Sequence, residues 1–204
     1  MASGAIILAA GESRRLGQAK QLVVHRGRPL LRGVAGEALA AGCDRLVVVL
    51  GARASEVRSA LAGLPVDVVV NEGWAEGIAS SIRCGVEAAE REGWEGALLL
   101  VCDQPALRSA HLERLLGARH GGPGAVASRY AGSVGVPAFF DRALFPRLRE
   151  LRGDEGAKRV LCACGPATVD WPEGAVDLDS PLDLASLRAA TAFGSGPGLP
   201  PEPR

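Results

Sequence analysis

Three short stretches carry residues that together could grip a polyphosphate. The first runs Ala5-Ile6-Ile7-Leu8-Ala9-Ala10-Gly11-Glu12-Ser13-Arg14-Arg15-Leu16-Gly17-Gln18-Ala19-Lys20. Ile6 to Leu8 form a continuous apolar run that suits a strand buried on both faces of a parallel sheet. Ala9, Ala10 and Gly11 are small enough to let another molecule approach the backbone. Ser13, Arg14, Arg15 and Lys20 then supply a hydroxyl and three cationic side chains at the carboxyl end of that strand, where ligands bind in open α/β sheets. The second stretch, Val101-Cys102-Asp103-Gln104-Pro105, ends an apolar run with an acid. Such a carboxylate can hold Mg²⁺ shared with phosphate oxygens, or form a turn; the basic loop on the same sheet edge favours the metal. The third is Asp177-Leu178-Asp179-Ser180-Pro181. Alternation puts Asp177 and Asp179 on one face of a short strand, so both could face a metal; the other reading is an N-cap cluster ahead of Pro181.

Two further stretches could bind anions. Asn71, the only asparagine in the chain, precedes Gly77, Ser80 and Ser81, whose amides and hydroxyls lie near an expected helix start, a natural anion site; the other reading is a capped helix on which Trp74 merely packs. Gly153-Asp154-Glu155-Gly156-Ala157-Lys158 is either a second anion-facing helix start or a loop capped by Asp154. Of the 23 Lys and Arg residues only Lys20 and Lys158 are lysine, and both fall in glycine-containing charged motifs. The dinucleotide fingerprint G-x-G-x-x-G and the P-loop G-x-x-x-x-G-K-[ST] are both missing.

The elements that must position these residues alternate. Arg45–Leu50, Val66–Val70 and Ala97–Cys102 read as strands; Pro29–Ala41, Ser55–Leu61, Gly77–Ala89 and Ser109–Leu116 read as helices between them. Pro29 fits a first helical turn and Ser109 an N-cap. The pattern predicts a three-layer αβα sandwich around a mostly parallel, Rossmann-like sheet. Beyond Ser128 it loosens into an excursion marked by Gly132, Gly135 and Pro137, before a helix near Asp141–Glu150. Residues 1–191 are expected to form one domain, and 192–204, rich in glycine and proline, a disordered tail.

At 204 residues and 48% hydrophobic, the chain can bury one good core. Its formal net charge of zero argues against nucleic acid as a partner. No apolar segment approaches the ~18 residues of a membrane span, and a cytoplasmic location is expected. Five cysteines have no framework spacing; Cys162-Ala163-Cys164 lacks the matching pair that a structural zinc would need.

Leu8 to Lys20 resembles the amino-terminal L-A-A-G-x-S-x-R-x-G-x-x-K signature of the nucleotidylyltransferases, in the branch that contains molybdenum cofactor cytidylyltransferase. Asp103-Gln104-Pro105, Asn71 to Ser81, Gly135-Val136-Pro137, Gly153 to Lys158 and Asp177 to Leu184 resemble that family's further motifs, in order, over about residues 5–185. Val136 stands where many relatives carry histidine, and Ser180 where they carry threonine. The resemblance implies a nucleotidyltransferase-type sheet and Mg²⁺-dependent transfer of a nucleotidyl group. It implies nucleotide binding by Leu8, Ala9, Ala10, Gly11, Ser13, Arg15, Lys20, Asn71, Ser80, Ser81 and Asp103, with Arg15, Lys20 and Asp103 catalytic. Gly77, Gly135, Pro137, Asp154 and Lys158 would bind the acceptor, and Asp103 and Asp179 the metal, with Asp177 in reserve. Leu-Ala-Ala-Gly accompanies cytidine transfer in that family, so CTP is the expected donor and molybdenum-bound molybdopterin the expected acceptor. A molybdenum hydroxylase or its maturation factor would receive the product. Rival readings are a transferase acting on a sugar phosphate or phospholactate, and a nucleotide-binding assembly protein without turnover. His25, His111 and His120 are given no catalytic role, because an acceptor phosphate is already ionised at neutral pH.

Overall fold

The computed structural model describes residues 3–119 and 124–193. Its strands are β1 (Ser3–Ala9), β2 (Val24–His25), β3 (Arg28–Pro29), β4 (Leu46–Leu50), β5 (Asp67–Val70), β6 (Gly96–Val101), β7 (Ala125–Tyr130), β8 (Ser133–Asp141) and β9 (Ala167–Asp170). Its helices are α1 (Leu30–Ala40), α2 (Ala54–Val57), α3 (Ile78–Arg91), α4 (Ser109–Gly117), α5 (Phe145–Arg149), α6 (Lys158–Cys164) and α7 (Pro181–Phe193). Seven strands form one sheet in the order β5-β4-β1-β6-β8-β7-β9, in which only β8 runs against the others. The sheet reverses its strand order at β1, next to the site the basic loop must occupy.

Period-2 alternation sorts the central strands into two cores. Ile6, Leu8, Val47, Val49 and Leu99 face α3, α5 and α6, while Ile7, Val48, Leu50, Leu98 and Leu100 face α1, α2 and α4. Each fully buried side chain of this kind stabilises the fold by about 1.5–3 kcal/mol, against about 0–1 kcal/mol for an exposed ion pair. The apolar layers, not the many arginine–glutamate pairs, therefore hold the three-layer sandwich together. A third, smaller cluster of Leu16, Val23, Leu30, Leu178 and Leu184 clamps the basic loop against the start of α7.

The sheet departs from the sequence expectation beyond residue 124. The expected excursion is a β7–β8 hairpin, closed by Ala131 (φ 48°) and Gly132 (φ 70°), the positive angles of a tight hairpin turn. Proline is rare in central strands, but here the register slips between Ala127 and Ser128, so Val136 and Pro137 bulge out of the ladder. Short β9 and α6 carry too few residues to show a period. The expected helix at Asp141–Glu150 begins later, after a 3₁₀ turn at Arg142–Leu144. Ser109 is the first helical residue and not the cap; its N–H donates to the Glu37 carboxylate of α1 at 2.9 Å. Pro29 precedes α1 by one residue. Asp177 to Ser180, expected on a short strand, form none; the Leu178 N–H donates to the carbonyl of Asp103, two residues beyond the end of β6 (2.8 Å). Ala192 and Phe193, expected in a disordered tail, complete α7, and residues 194–204 of that tail lie outside the described residues. His120 also lies outside them.

His111 is buried away from the cleft. It stacks on Trp171 (4.7 Å between centroids). Its Nε2 lies 2.7 Å from Ser128 Oγ, whose own hydrogen goes to the Pro137 carbonyl. Nε2 therefore donates, and Nδ1 accepts from Arg114 at 3.1 Å. Burial, then the Arg114 charge, hold the imidazole down at about 4. The folded value lies below the ordinary ~6.5, so the unfolded chain binds the extra proton. Stability is complete above about pH 6.5 and falls as pH drops towards 4, by about 3 kcal/mol from this group. Thermal melting between pH 4 and 7 should show that slope in the wild type and a flatter one in His111→Gln; equal slopes would contradict the assignment.

Candidate active site

A cleft of about 570 Å³ opens at the carboxyl edge of β1 and β6. Its floor is the end of β1, Leu8 to Gly11, and its rim is the basic loop. Ser13 adopts a left-handed conformation (φ 61°), and its Oγ accepts the Lys20 N–H at 3.1 Å, which closes the loop on itself. Gln21, buried behind it, donates from Nε2 to the carbonyls of Ala9 and Gly11, both at 2.9 Å. That glutamine escapes sequence reading, because only a long-range contact reveals its task. A Cβ on Gly11 would meet open space, so its smallness is not needed for packing and leaves the cleft floor bare.

Lys20 is the centre of the arrangement. Its Nζ donates to Asp103 Oδ2 at 2.5 Å and to Asp179 Oδ1 at 3.0 Å. Burial works against its charge, but the attraction and hydrogen bond of Asp103 outweigh that cost and hold the ammonium above its ordinary range. Arg15 is exposed, with Nη2 3.6 Å from Asp179 Oδ2, whereas Arg14 pairs outward with Glu12. The clamp of Leu178 beside Asp103 and the Asp183 carboxylate, which accepts the N–H groups of Asp179 (3.1 Å) and Ser180 (2.8 Å), fix Asp179. Asp177 does not line the cleft; partial burial and then the charges of Asp103 and Asp179 push its carboxyl up to about 6, with Lys20 opposing.

These carboxylates fit a divalent cation. Oxygens of Asp103 and Asp179 converge on one cationic nitrogen, the two-carboxylate set that magnesium takes when phosphate completes its shell. Among the described residues no cluster of three or more His, Cys, Asp or Glu is placed to hold a metal. A divalent cation held there would take its remaining ligands from substrate and water.

The far wall is α3 and the loop before it. Gly77 (φ 122°) packs so closely that a Cβ would lie 2.6 Å from Asp154 Oδ1. This contact brings Asp154 to the cleft beside Trp74, Gly77, Ile78 and Ser81. Asn71 and Ser80 sit behind that wall: Asn71 Nδ2 donates to Ser80 Oγ (2.8 Å) and Ser81 Oγ (3.1 Å), and its Oδ1 accepts the Gly73 N–H at 3.0 Å. Their polar groups are thereby engaged in fixing the wall rather than facing a nucleotide. Asn71→Ala should strand these buried groups and cost about 2–3 kcal/mol, lowering the melting temperature by about 5–10 °C. An unchanged melting temperature would contradict this role.

Beside the cleft lies a second hollow of about 430 Å³, reached past Leu8, Ile78 and Val101. Ile82, Leu99, Val134, Val136, Gly135 and Ala157 line it, and Lys158, at the first turn of α6, brings the single charge. Gly135 has no room for a side chain, since a Cβ would press on the Tyr130 hydroxyl. Pro137 lines neither hollow; it is buried in the bulge.

Residues 5–167 match the MobA-like NTP transferase domain. The chain belongs to that family. This NTP transferase is 35% identical over 175 residues to nicotine blue oxidoreductase of Paenarthrobacter nicotinovorans, covering 81% of this chain and 83% of the relative. It is 31% identical over 200 residues to the purine catabolism protein PucB of Bacillus subtilis (strain 168), covering 91% and 95%. The crystal structure of Rv0371c from Mycobacterium tuberculosis H37Rv superposes with a TM-score of 0.80 at 32% identity, over 92% of this chain and 97% of that one. The mostly parallel sheet and the nucleotidyltransferase class are therefore those of a known group of enzymes, whose substrates are nucleoside triphosphates and phosphorylated acceptors. Rv0371c has also been crystallised with manganese, a divalent cation of the kind NTP transferases use. Among the described residues no helix of this NTP transferase is long and apolar enough to cross a membrane.

Proposed function

We propose that the protein transfers CMP from CTP to molybdenum-bound molybdopterin, giving molybdopterin cytosine dinucleotide and pyrophosphate. An acceptor phosphate oxygen attacks the α-phosphorus, forming the new phosphoanhydride bond as the bond to pyrophosphate breaks. The acceptor phosphate is already ionised, so no protein base has to remove a proton. The loop amides, Ser13, Arg15 and Lys20 hold the triphosphate in line and take up charge that grows on the leaving group. Asp103 and Asp179 hold Mg²⁺, which when bound neutralises phosphate oxygens. The bare Ala9-Ala10-Gly11 floor supports cytidine as the base, through the family pattern that links Leu-Ala-Ala-Gly with CTP.

The observation that carries the acceptor reading is the hollow. It offers apolar walls for a flat ring system and one lysine for an anion. A sugar phosphate would need partners for several hydroxyls. Here the side chains offer Ser133, Lys158 and Tyr130, and the Tyr130 hydroxyl already donates to the Val136 carbonyl at 2.9 Å. The same flat, apolar character suits hand-over of the product to a molybdenum hydroxylase or its maturation factor. The test is pyrophosphate release with CTP, GTP, ATP and UTP in turn, with Mg²⁺, and with molybdenum-loaded molybdopterin or a sugar 1-phosphate. Release confined to CTP plus the pterin is the expected result; release with the sugar phosphate would overturn the acceptor assignment.

A further inference from the structure

We propose that Lys20 is a stand-in for the metal: in the free protein its ammonium occupies the Asp103–Asp179 pair and bars a divalent cation until a triphosphate draws the lysine away. This rests on the reading of Asp103 and Asp179 as the metal-holding carboxylates.

The two carboxylates are fixed by the backbone around them. The Asp103 carbonyl accepts the Leu178 N–H, and the Asp183 carboxylate caps the amide of Asp179. The lysine is tethered differently. Its backbone N–H is bonded to Ser13 Oγ in the basic loop, while four methylenes separate that anchor from the charge. The side chain can therefore change partners without moving the loop. Its ammonium lies 2.5 Å from one carboxylate and 3.0 Å from the other, so a cation bound by those same oxygens cannot share them with it. One positive charge also only half neutralises two carboxylates, whereas a divalent ion neutralises both. What the displaced lysine needs is another anion; of the other carboxylates that line the cleft, Glu12 is paired with Arg14 and Asp154 lies on the far wall. The nucleotide supplies it, because the triphosphate enters the cleft that Ser13, Arg15 and Lys20 line.

Metal and nucleotide are then positively coupled, and the coupling is reciprocal. Each makes room for the other through Lys20. The device keeps the free protein from holding a divalent cation by itself, and the arrangement of two fixed acids completes only when the substrate is in place. Arg15, exposed and 3.6 Å from Asp179, follows the same logic more weakly.

The test measures Mn²⁺ affinity by the loss of the free-ion paramagnetic resonance signal. Wild type, Lys20→Met and Arg14→Met are each titrated with and without a CTP analogue carrying a methylene between the α- and β-phosphorus. Arg14 is the control for a general change of field, since it carries the same charge nearby but pairs with Glu12. The wild type should bind Mn²⁺ weakly alone and tightly with the analogue. Lys20→Met should bind it alone about 5–100-fold more tightly than wild type, with the boost from the analogue correspondingly reduced; Arg14→Met should behave as wild type. Tight binding by wild type with the analogue, but no gain in Lys20→Met alone, would overturn the stand-in role and leave the metal site intact. An equal gain in Arg14→Met would overturn it too, by reducing the effect to net charge. If wild type binds no Mn²⁺ even with the analogue, the metal reading itself falls and the inference with it.

Discussion

Asp103→Asn should lower nucleotidyl transfer by about 10²–10⁴-fold while leaving the fold in place. The substitution keeps the shape of the side chain and its backbone link, in which the Asp103 carbonyl accepts the Leu178 N–H. It removes one of the two charges that converge on the cationic centre of the cleft. A neutral amide holds a divalent cation poorly and gives the transition state no fixed counter-charge, so the loss falls on turnover rather than on assembly. Lys20 keeps Asp179 as a partner, and the melting temperature should move by only a few degrees. The check is kcat alongside nucleotide affinity. A nucleotide-binding assembly protein would lose some affinity and have no turnover to lose. Substantial residual transfer in Asp103→Asn would mean that the charge pair is not the catalytic centre.

Gly77→Ala is expected to damage both stability and activity. Glycine is required at this position for two independent reasons. Its φ of 122° lies where side chains are strained, and an added Cβ would press into the Gly153 carbonyl and the Asp154 carboxylate. Backbone atoms cannot give way as a flexible side chain could. The wall between α3 and the Gly153–Asp154 turn must open, at a cost of about 2–4 kcal/mol. The Ala79 N–H, which donates to the Gly153 carbonyl at 3.0 Å, would be pulled off its partner as the turn shifts. The measurable result is a lower melting temperature together with a raised KM for the acceptor, because Ile78 lines both cleft and hollow and Asp154 lines the cleft beside it. A variant with wild-type stability would contradict the close packing described here.

The central sheet was legible because its strands are buried on both faces. Ile6 to Leu8 and Ala97 to Val101 are unbroken apolar runs that no loop would carry, and each ends at a residue of the cleft. The strands beyond residue 124 hide for the opposite reason. Pro137 and Gly135 break the pattern of β8, and the register slip that accommodates them is decided by pairing with β7 rather than by local sequence. Much the same division holds in the site. A basic loop and an acid at neighbouring strand ends can be read from the chain, since strand ends share one edge of a parallel sheet. That Lys20 lies between Asp103 and Asp179, residues 83 and 159 positions away, cannot. Nor can the chain say whether a hydroxyl or amide faces a ligand or a neighbour. Asn71 and Ser80 read as nucleotide contacts, yet their donors and acceptors are spent on one another and on Gly73 and Gly77. Gln21, which anchors the loop from behind, carries no signal in the sequence at all.

The most direct test of the account follows the phosphorus atoms. Two CTP samples, one labelled at the α- and one at the γ-phosphorus, are incubated with the protein, Mg²⁺ and molybdenum-loaded molybdopterin, and the products are separated. Nucleotidyl transfer puts the α label in the pterin product and the γ label in pyrophosphate, and both should appear at equal rates. Gamma label released as inorganic phosphate, or α label recovered only as free CMP, would contradict transfer to the acceptor.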